Sequence, residues 1–408
     1  MLDVCSVLRR SISCPAFKMP QPLSITIVAA ALDLSGGARV IATYADLLAE
    51  DGHHVTVVSV GPQAVSWREA VKDLLKTGRW PRRSKRSDKS HYDGSLASVR
   101  VLDAYRPITD ADLPDADVVI ATWWETAEWV ARLSPSKGAK VYLVQHHEIF
   151  DYMPIDRVRA TYRLPLHKVV VAPWLRDVMQ SEYQDHDVDL VLNAVDHHLF
   201  NAPPRAKQPQ PTVGVMYSQA GFKALHVAIE ALREIKRQVP AVRLVAFGVS
   251  QAQGFDFMGS DMEFHLRPSQ QVIRDCYRRV DVWLSSSRSE GFNLPSLEAM
   301  ACRTPVVATR TGWPATAIRD GENGYLADVD DSRALAAGVV KVLRTTPPQW
   351  GAFSEAAAQT ASPLTWQQAY PLFLASLRKA MAKQKDRHGL AEVTRFGVEC
   401  RTALSARR

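Results

Sequence analysis

Twice along this chain, short strand-like apolar runs alternate with longer segments in which apolar residues recur at helical spacing. The runs fall at 24–31, 55–60, 99–102, 117–122, 140–144, 169–175 and 190–196. They resume at 212–217, 242–247, 263–268, 282–284 and 306–309. Runs apolar on both faces predict parallel strands covered by helices on either side. Between the two series lies Asn201-Ala-Pro-Pro-Arg-Ala-Lys-Gln-Pro-Gln-Pro211, a polar Pro-rich stretch that reads as a linker. The pattern therefore predicts two α/β domains, which a length of 408 residues accommodates. The expected division is a disordered leader (1–20), a first domain (21–200) with a basic insertion at 66–92, the linker (201–211), a second domain (212–365), a final helix (366–385) and a loose, basic tail (386–408).

Composition narrows the class. Hydrophobic residues make up 46% and charged residues 23%, as in an ordinary globular protein. No run of 18 apolar residues predicts a membrane span, and the first 20 residues lack the apolar centre of a secretory signal. The five cysteines are scattered, with no C-x-x-C, which predicts a reducing, cytoplasmic compartment without disulfides or zinc. The net charge of +7 is mild, but it concentrates at residues 68–89, where nine Lys and Arg accompany Trp80. Such a segment suits an anionic membrane surface, and the expectation is a peripheral contact at the inner face of the membrane. A solvated loop is the plainer reading. Nucleic acid is the other anionic candidate, but no nucleic-acid-binding motif accompanies the cluster, so no nucleic-acid partner is expected.

The most informative stretch runs from Asp281 to Asp331. A strand at Val282–Leu284 leads through a polar loop carrying Glu290-Gly291 into a helix, with Asn293 as the expected cap and Pro295 in the first turn. A loop feeding a helix start offers unpaired N–H groups and the positive end of a dipole, which together favour a phosphate. Gly291 allows close backbone approach. Glu290 and Glu298 bracket that point, and acceptor-only carboxylates suit hydroxyl-rich partners such as sugars and ribose. The loop Leu34-Ser35-Gly36-Gly37-Ala38 sits at the carboxyl end of the first strand, where ligands of open α/β sheets bind, although it lacks the G-x-G-x-x-G spacing of a dinucleotide site. Gln145-His146-His147-Glu148 ends another strand. It has no further ligand at recognisable spacing, so no metal is expected.

Glu290-Gly-Phe-Asn-Leu-Pro-Ser-Leu-Glu298 resembles the E-x7-E signature of retaining GT-B glycosyltransferases, most closely family 4. The likeness continues through Ala299-Met300-Ala301, Pro305–Ala308, Gly312, Asp320–Leu326 and Asp330-Asp331, and more weakly over about residues 24–385. The resemblance implies two Rossmann-like domains facing across a cleft, with the C-terminal helix crossing back to the first. It implies transfer of a glycosyl unit from a nucleoside-diphosphate sugar to a glycan or lipid-linked acceptor hydroxyl, with retention and without a cofactor or metal. Polysaccharide or glycolipid synthesis is the expected setting.

By the same resemblance, Lys223 neutralises the donor diphosphate. Gly36 and Gly37 lie beside donor phosphate and acceptor. His147 stands near the donor sugar, Glu290 takes its hydroxyls and Glu298 takes the ribose. Gly291, Phe292, Asn293 and Leu294 form the phosphate-facing helix start.

Two departures from the family pattern stand out. Tyr217-Ser218 replaces a second phosphate-binding Arg, for which Arg267 or Arg288 would compensate. Trp313-Pro314-Ala315-Thr316 stands where a Gly and then a Glu are common. They keep open a non-catalytic sugar-nucleotide-binding relative, and a nucleotide-sugar epimerase is a further alternative. The segments Gln145–Glu148 and Tyr217–Lys223 resemble certain rhamnosyltransferases, which implies a deoxysugar such as rhamnose.

Overall fold

The computed structural model describes residues 21–61 and 90–405, and the side chains of the last helix as far as Asp386. The expected leader and almost all of the basic insertion, including the residues 68–89 expected to meet a membrane surface, lie outside the described residues.

The first lobe is a seven-stranded sheet built from β1 (Ser24–Ala29), β2 (His54–Ser59), β3 (Ser98–Val101), β4 (Val118–Ala121), β5 (Ala139–Val144), β6 (His167–Val170) and β7 (Val188–Leu190). Its order is β3-β2-β1-β4-β5-β6-β7, and every pairing is parallel. The second lobe is a six-stranded sheet of β8 (Thr212–Tyr217), β9 (Arg243–Gly248), β10 (Met262–Leu266), β11 (Val282–Ser285), β12 (Val306–Thr309) and β13 (Gly324–Ala327). Its order is β10-β9-β8-β11-β12-β13, again all parallel. This is the GT-B fold: two Rossmann-like lobes, each with strand order reversing beside its first strand. The apolar runs explain it. β4 and β12 are buried at every residue, which requires helices on both faces.

The C-terminal helices show how their starts and stops are set. Pro347 and Pro348 open a helix, Pro347–Ala361, because proline suits a first turn as well as it breaks an interior. The helix Ser332–Leu343 is capped by the Asp331 side chain on the Ala334 amide. The last helix, Trp366–Ser405, continues through the segment expected to be a loose tail, which contains no proline to end it. This helix returns to the first lobe, as the fold requires. Phe373 stacks on Tyr44 at 4.0 Å, and Ser376 bonds to Asp189 at 2.6 Å.

Candidate active site

Ligands of open parallel sheets sit beyond the strand carboxyl ends, where the strand order reverses. In the first lobe that point lies between β1 and β4, and in the second between β8 and β11. The two points face one another across a cleft of about 870 Å3. The loop Asp33–Gly37 and Thr122-Trp123 enter it from the first lobe; Ser218–Lys223 and Glu290–Leu294 enter from the second.

The helix α1 (Gly36–Glu50) starts at the first switch point, capped by the Ser35 side chain on the Ala38 amide. The helix Leu294–Ala301 starts at the second. Asn293, at φ 80°, caps it through its side chain on the Ser296 amide, as the sequence predicts. Its other side-chain group donates to Ser285 Oγ at 2.9 Å. The N–H groups of Phe292, Asn293 and Leu294 have no acceptor among the described residues, the condition that favours an anion at a helix start. Phe292 is buried and stacks on Trp313 at 5.8 Å, while its carbonyl accepts from the Trp313 amide. The unexpected Trp313 is thus the buttress of this loop.

Gly291 has a different neighbour from the one expected. A Cβ there would lie 1.8 Å from the carbonyl oxygen of Gln145, so it is the other lobe's backbone that requires glycine. Trp174 of the first lobe also donates to the Gly291 carbonyl at 2.9 Å. Gly37 similarly lies against Gln145, whose amide reaches the Gly37 carbonyl.

The charged groups are paired. Lys223 Nζ lies 2.6 Å from Glu290 Oε1, which also accepts from Ser287 Oγ at 2.6 Å. Glu298 is buried. Its Oε2 accepts from the Tyr277 hydroxyl at 2.8 Å, and its Oε1 accepts from the Arg39 guanidinium of the opposite lobe. Burial pushes the Glu298 carboxyl up, and Arg39 and Tyr277 oppose that shift. Of the two cations expected to compensate for the missing Arg, only Arg267 lines the cleft, at φ 47° with its Nε donating to the Val249 carbonyl at 3.0 Å. Arg288 does not: it forms an exposed pair with Asp330 at 2.7 Å.

His147 is also not where it was expected. Its ring is buried against Tyr162 and Tyr183, with Nε2 2.7 Å from the Tyr183 hydroxyl, and burial lowers its pKa to about 4. The neighbouring His146 faces the cleft, against Phe150, Phe222 and Trp174, with Nε2 3.3 Å from Ser289 Oγ. Successive side chains of an extended segment point to opposite faces, so the choice between adjacent histidines depends on a phase set by packing. Glu148 lines the floor of the cleft, accepts from the Trp124 amide at 3.0 Å, and is held well above the usual carboxylate range by burial. Among the described residues, no group of three His, Cys, Asp or Glu side chains could hold a metal ion.

Sequence reading missed Arg39, Gln270 and Tyr277, and singled out Gln145 only as part of the segment Gln145–Glu148. Arg39 was visible only as one polar residue of an amphipathic helix. Tyr277 lies on the helix Gln270–Arg278 that leads to β11.

Residues 211–345 match the family described as "Glycosyl transferases group 1". The chain is 32% identical to the D-inositol 3-phosphate glycosyltransferase of Mycolicibacterium smegmatis over 182 residues, covering 42% of this chain and 41% of that protein. It is 40% identical to the enzyme of the same description from an Arthrobacter species over 178 residues, covering 41% and 42%. The chain thus spans less than half the length of these curated relatives. Among solved structures, HepE of Anabaena in complex with UDP and glucose superposes with a TM-score of 0.66 at 16% identity, covering 87% of this chain and 99% of that one. Sucrose-phosphate synthase of Thermosynechococcus elongatus gives 0.65 at 15% identity, covering 88% and 99%. The second lobe is therefore similar to the group 1 glycosyl transferases, and the two lobes together share the GT-B fold of these solved structures.

Proposed function

We propose that the chain transfers a glycosyl unit from a nucleoside-diphosphate sugar to an acceptor hydroxyl within the interlobe cleft. One observation carries this reading: unpaired helix-start amides, the Lys223–Glu290 pair and the buried Glu298 converge at the second lobe's switch point. As the bond from the anomeric carbon to the diphosphate breaks, negative charge grows on the leaving oxygens. The amides of Phe292–Leu294, the dipole of the helix they open and Lys223 stabilise that charge without reorganising. Arg267 is the second cation within the same cleft. Counter-charge then comes from the protein and not from a metal ion.

Glu290 is already oriented by Ser287 and Lys223, and accepts from hydroxyls of the transferred sugar. Glu298 accepts from the ribose. Gly36 and Gly37 keep side chains away from the space between donor phosphate and acceptor. Retention of configuration, with the leaving phosphate taking the acceptor's proton, is supported by the likeness of Glu290–Glu298 to retaining enzymes. A deoxysugar such as rhamnose is supported by the likeness of the Gln145–Glu148 and Tyr217–Lys223 segments to certain rhamnosyltransferases. The acceptor is a glycan or lipid-linked sugar. The curated relatives are named for an inositol phosphate acceptor, and HepE was solved with UDP and glucose, which supports a nucleotide-sugar donor for this chain.

A thermal-shift screen of UDP-, GDP-, ADP- and dTDP-sugars tests the reading. A hundredfold excess over Kd stabilises the folded chain by about 2.7 kcal/mol. A response is expected for one nucleotide class, and Glu298→Ala should abolish it. Silence towards all four classes would remove the donor site.

A further inference from the structure

We propose that Arg39, carried by the first lobe, is a positioning residue for ribose recognition in the second, and that through Glu298 it makes the cleft select ribonucleoside over 2′-deoxyribonucleoside diphosphates. The proposal rests on the nucleotide-sugar reading above and extends it to a residue to which that reading gives no part.

Arg39 lies in the first turns of α1, which opens at the cleft because Gly36 and Gly37 begin it. Its guanidinium bridges the lobes with two prongs. Nη1 donates to Gln270 Oε1 at 2.6 Å, and Nη2 donates to Glu298 Oε1. The face of Phe200 lies 5.7 Å from its central carbon. A planar fork can hold two acceptors at once in fixed geometry, which a lysine cannot.

The other carboxylate oxygen of Glu298 is held by Tyr277. Each oxygen of a carboxylate has two lone-pair sites. Arg39 fills one site on Oε1 and Tyr277 fills one on Oε2, leaving one site on each oxygen on a side chain that lines the cleft. Two open acceptor sites side by side complement two vicinal hydroxyls, the 2′ and 3′ positions of ribose. A 2′-deoxyribose fills one and leaves the other buried without a donor, which is the costly case. The carboxylate takes one donor from each lobe, Arg39 from the first and Tyr277 from the second, so both donors are in place only when the lobes are together.

The test compares binding of UDP, GDP and ADP with that of dUDP, dGDP and dADP by isothermal titration, using the full chain. For the nucleotide that binds, the unsubstituted chain is expected to favour the ribo form about tenfold. Arg39→Gln should reduce that preference to about twofold or less, mainly by weakening the ribo form. Arg39→Lys keeps the charge without the fork and should leave about threefold, and it carries the test if Arg39→Gln does not fold. In a Glu298→Gln background, Arg39→Gln should produce no further change in the ratio, because the two act as one unit. A folded Arg39 variant that keeps the full preference, or effects that simply add, would overturn the role of Arg39 while leaving the donor site intact. No binding of any of the six nucleotides or of dTDP would overturn both, whereas binding of dTDP alone would overturn the ribose selectivity and leave the donor site.

Discussion

The two lobes share a strand order and place a strand–loop–helix turn at the same topological point, yet their halves of the cleft are made of different materials. The first lobe contributes a loop without bulk, Gly36-Gly37, and a lining of Trp123, Gln145, His146, Phe150 and Tyr152. The second contributes charge held in pairs, Lys223 with Glu290 and Glu298 with a partner from across the cleft, together with bare helix-start amides. Topology decides where a ligand sits. The loop sequence decides what each half suits: anionic groups on one side, and rings with apolar and hydroxylated faces on the other.

The largest effect should come from forcing the halves apart. Gly291→Ala places a methyl carbon 1.8 Å from the Gln145 carbonyl, and displacements of about 1 Å at a reacting centre cost about a hundredfold in rate. Turnover should fall by at least that factor while the far-ultraviolet circular dichroism of the variant stays unchanged. Full turnover would mean that the lobes need not meet there. Next, Lys223→Ala should lower kcat by about 100- to 1000-fold, because its stabilisation grows with the charge on the leaving group. A loss confined to KM would instead assign Lys223 to ground-state binding.

His147 makes the stability of the first lobe depend on pH. Its folded pKa of about 4 lies below the usual histidine value, so between those values the unfolded chain binds more protons. Stability from the neutral ring is therefore complete above about pH 6.5 and is lost as the pH falls towards 4. Melting curves should show His147→Gln less stable at pH 7, with the gap to the parent narrowing by pH 5. A constant gap would mean that the ring is not buried neutral. The smallest effect belongs to Arg288→Ala, whose exposed pair with Asp330 lies outside the cleft. Donor affinity should change by no more than about twofold. A tenfold loss would mean that Arg288, and not Arg267, supplies the second cation for the diphosphate.

Much of this was legible in residue patterns. Parallel strands buried on both faces leave runs such as Val118–Ala121 and Val306–Thr309, which no other element would carry so briefly. Asn293 signals its helix start because a short polar side chain is needed there. The illegible parts depend on distance in sequence. Arg39 and Glu298 are 259 positions apart, and an arginine on an amphipathic helix looks solvated until the lobe opposite it is in place. Adjacent His146 and His147 differ only in phase. Pro347 could end one helix or begin another, and neighbouring residues decide which.

The returning C-terminal helix has a mechanical consequence. The backbone passes from lobe to lobe at the Pro-rich segment near 201–211 and again near Thr365, which bridges to Val195. Two adjacent tethers define an axis, as one tether cannot. Any relative motion of the lobes is therefore easiest as rotation about that line, which keeps Arg39 in register with Glu298.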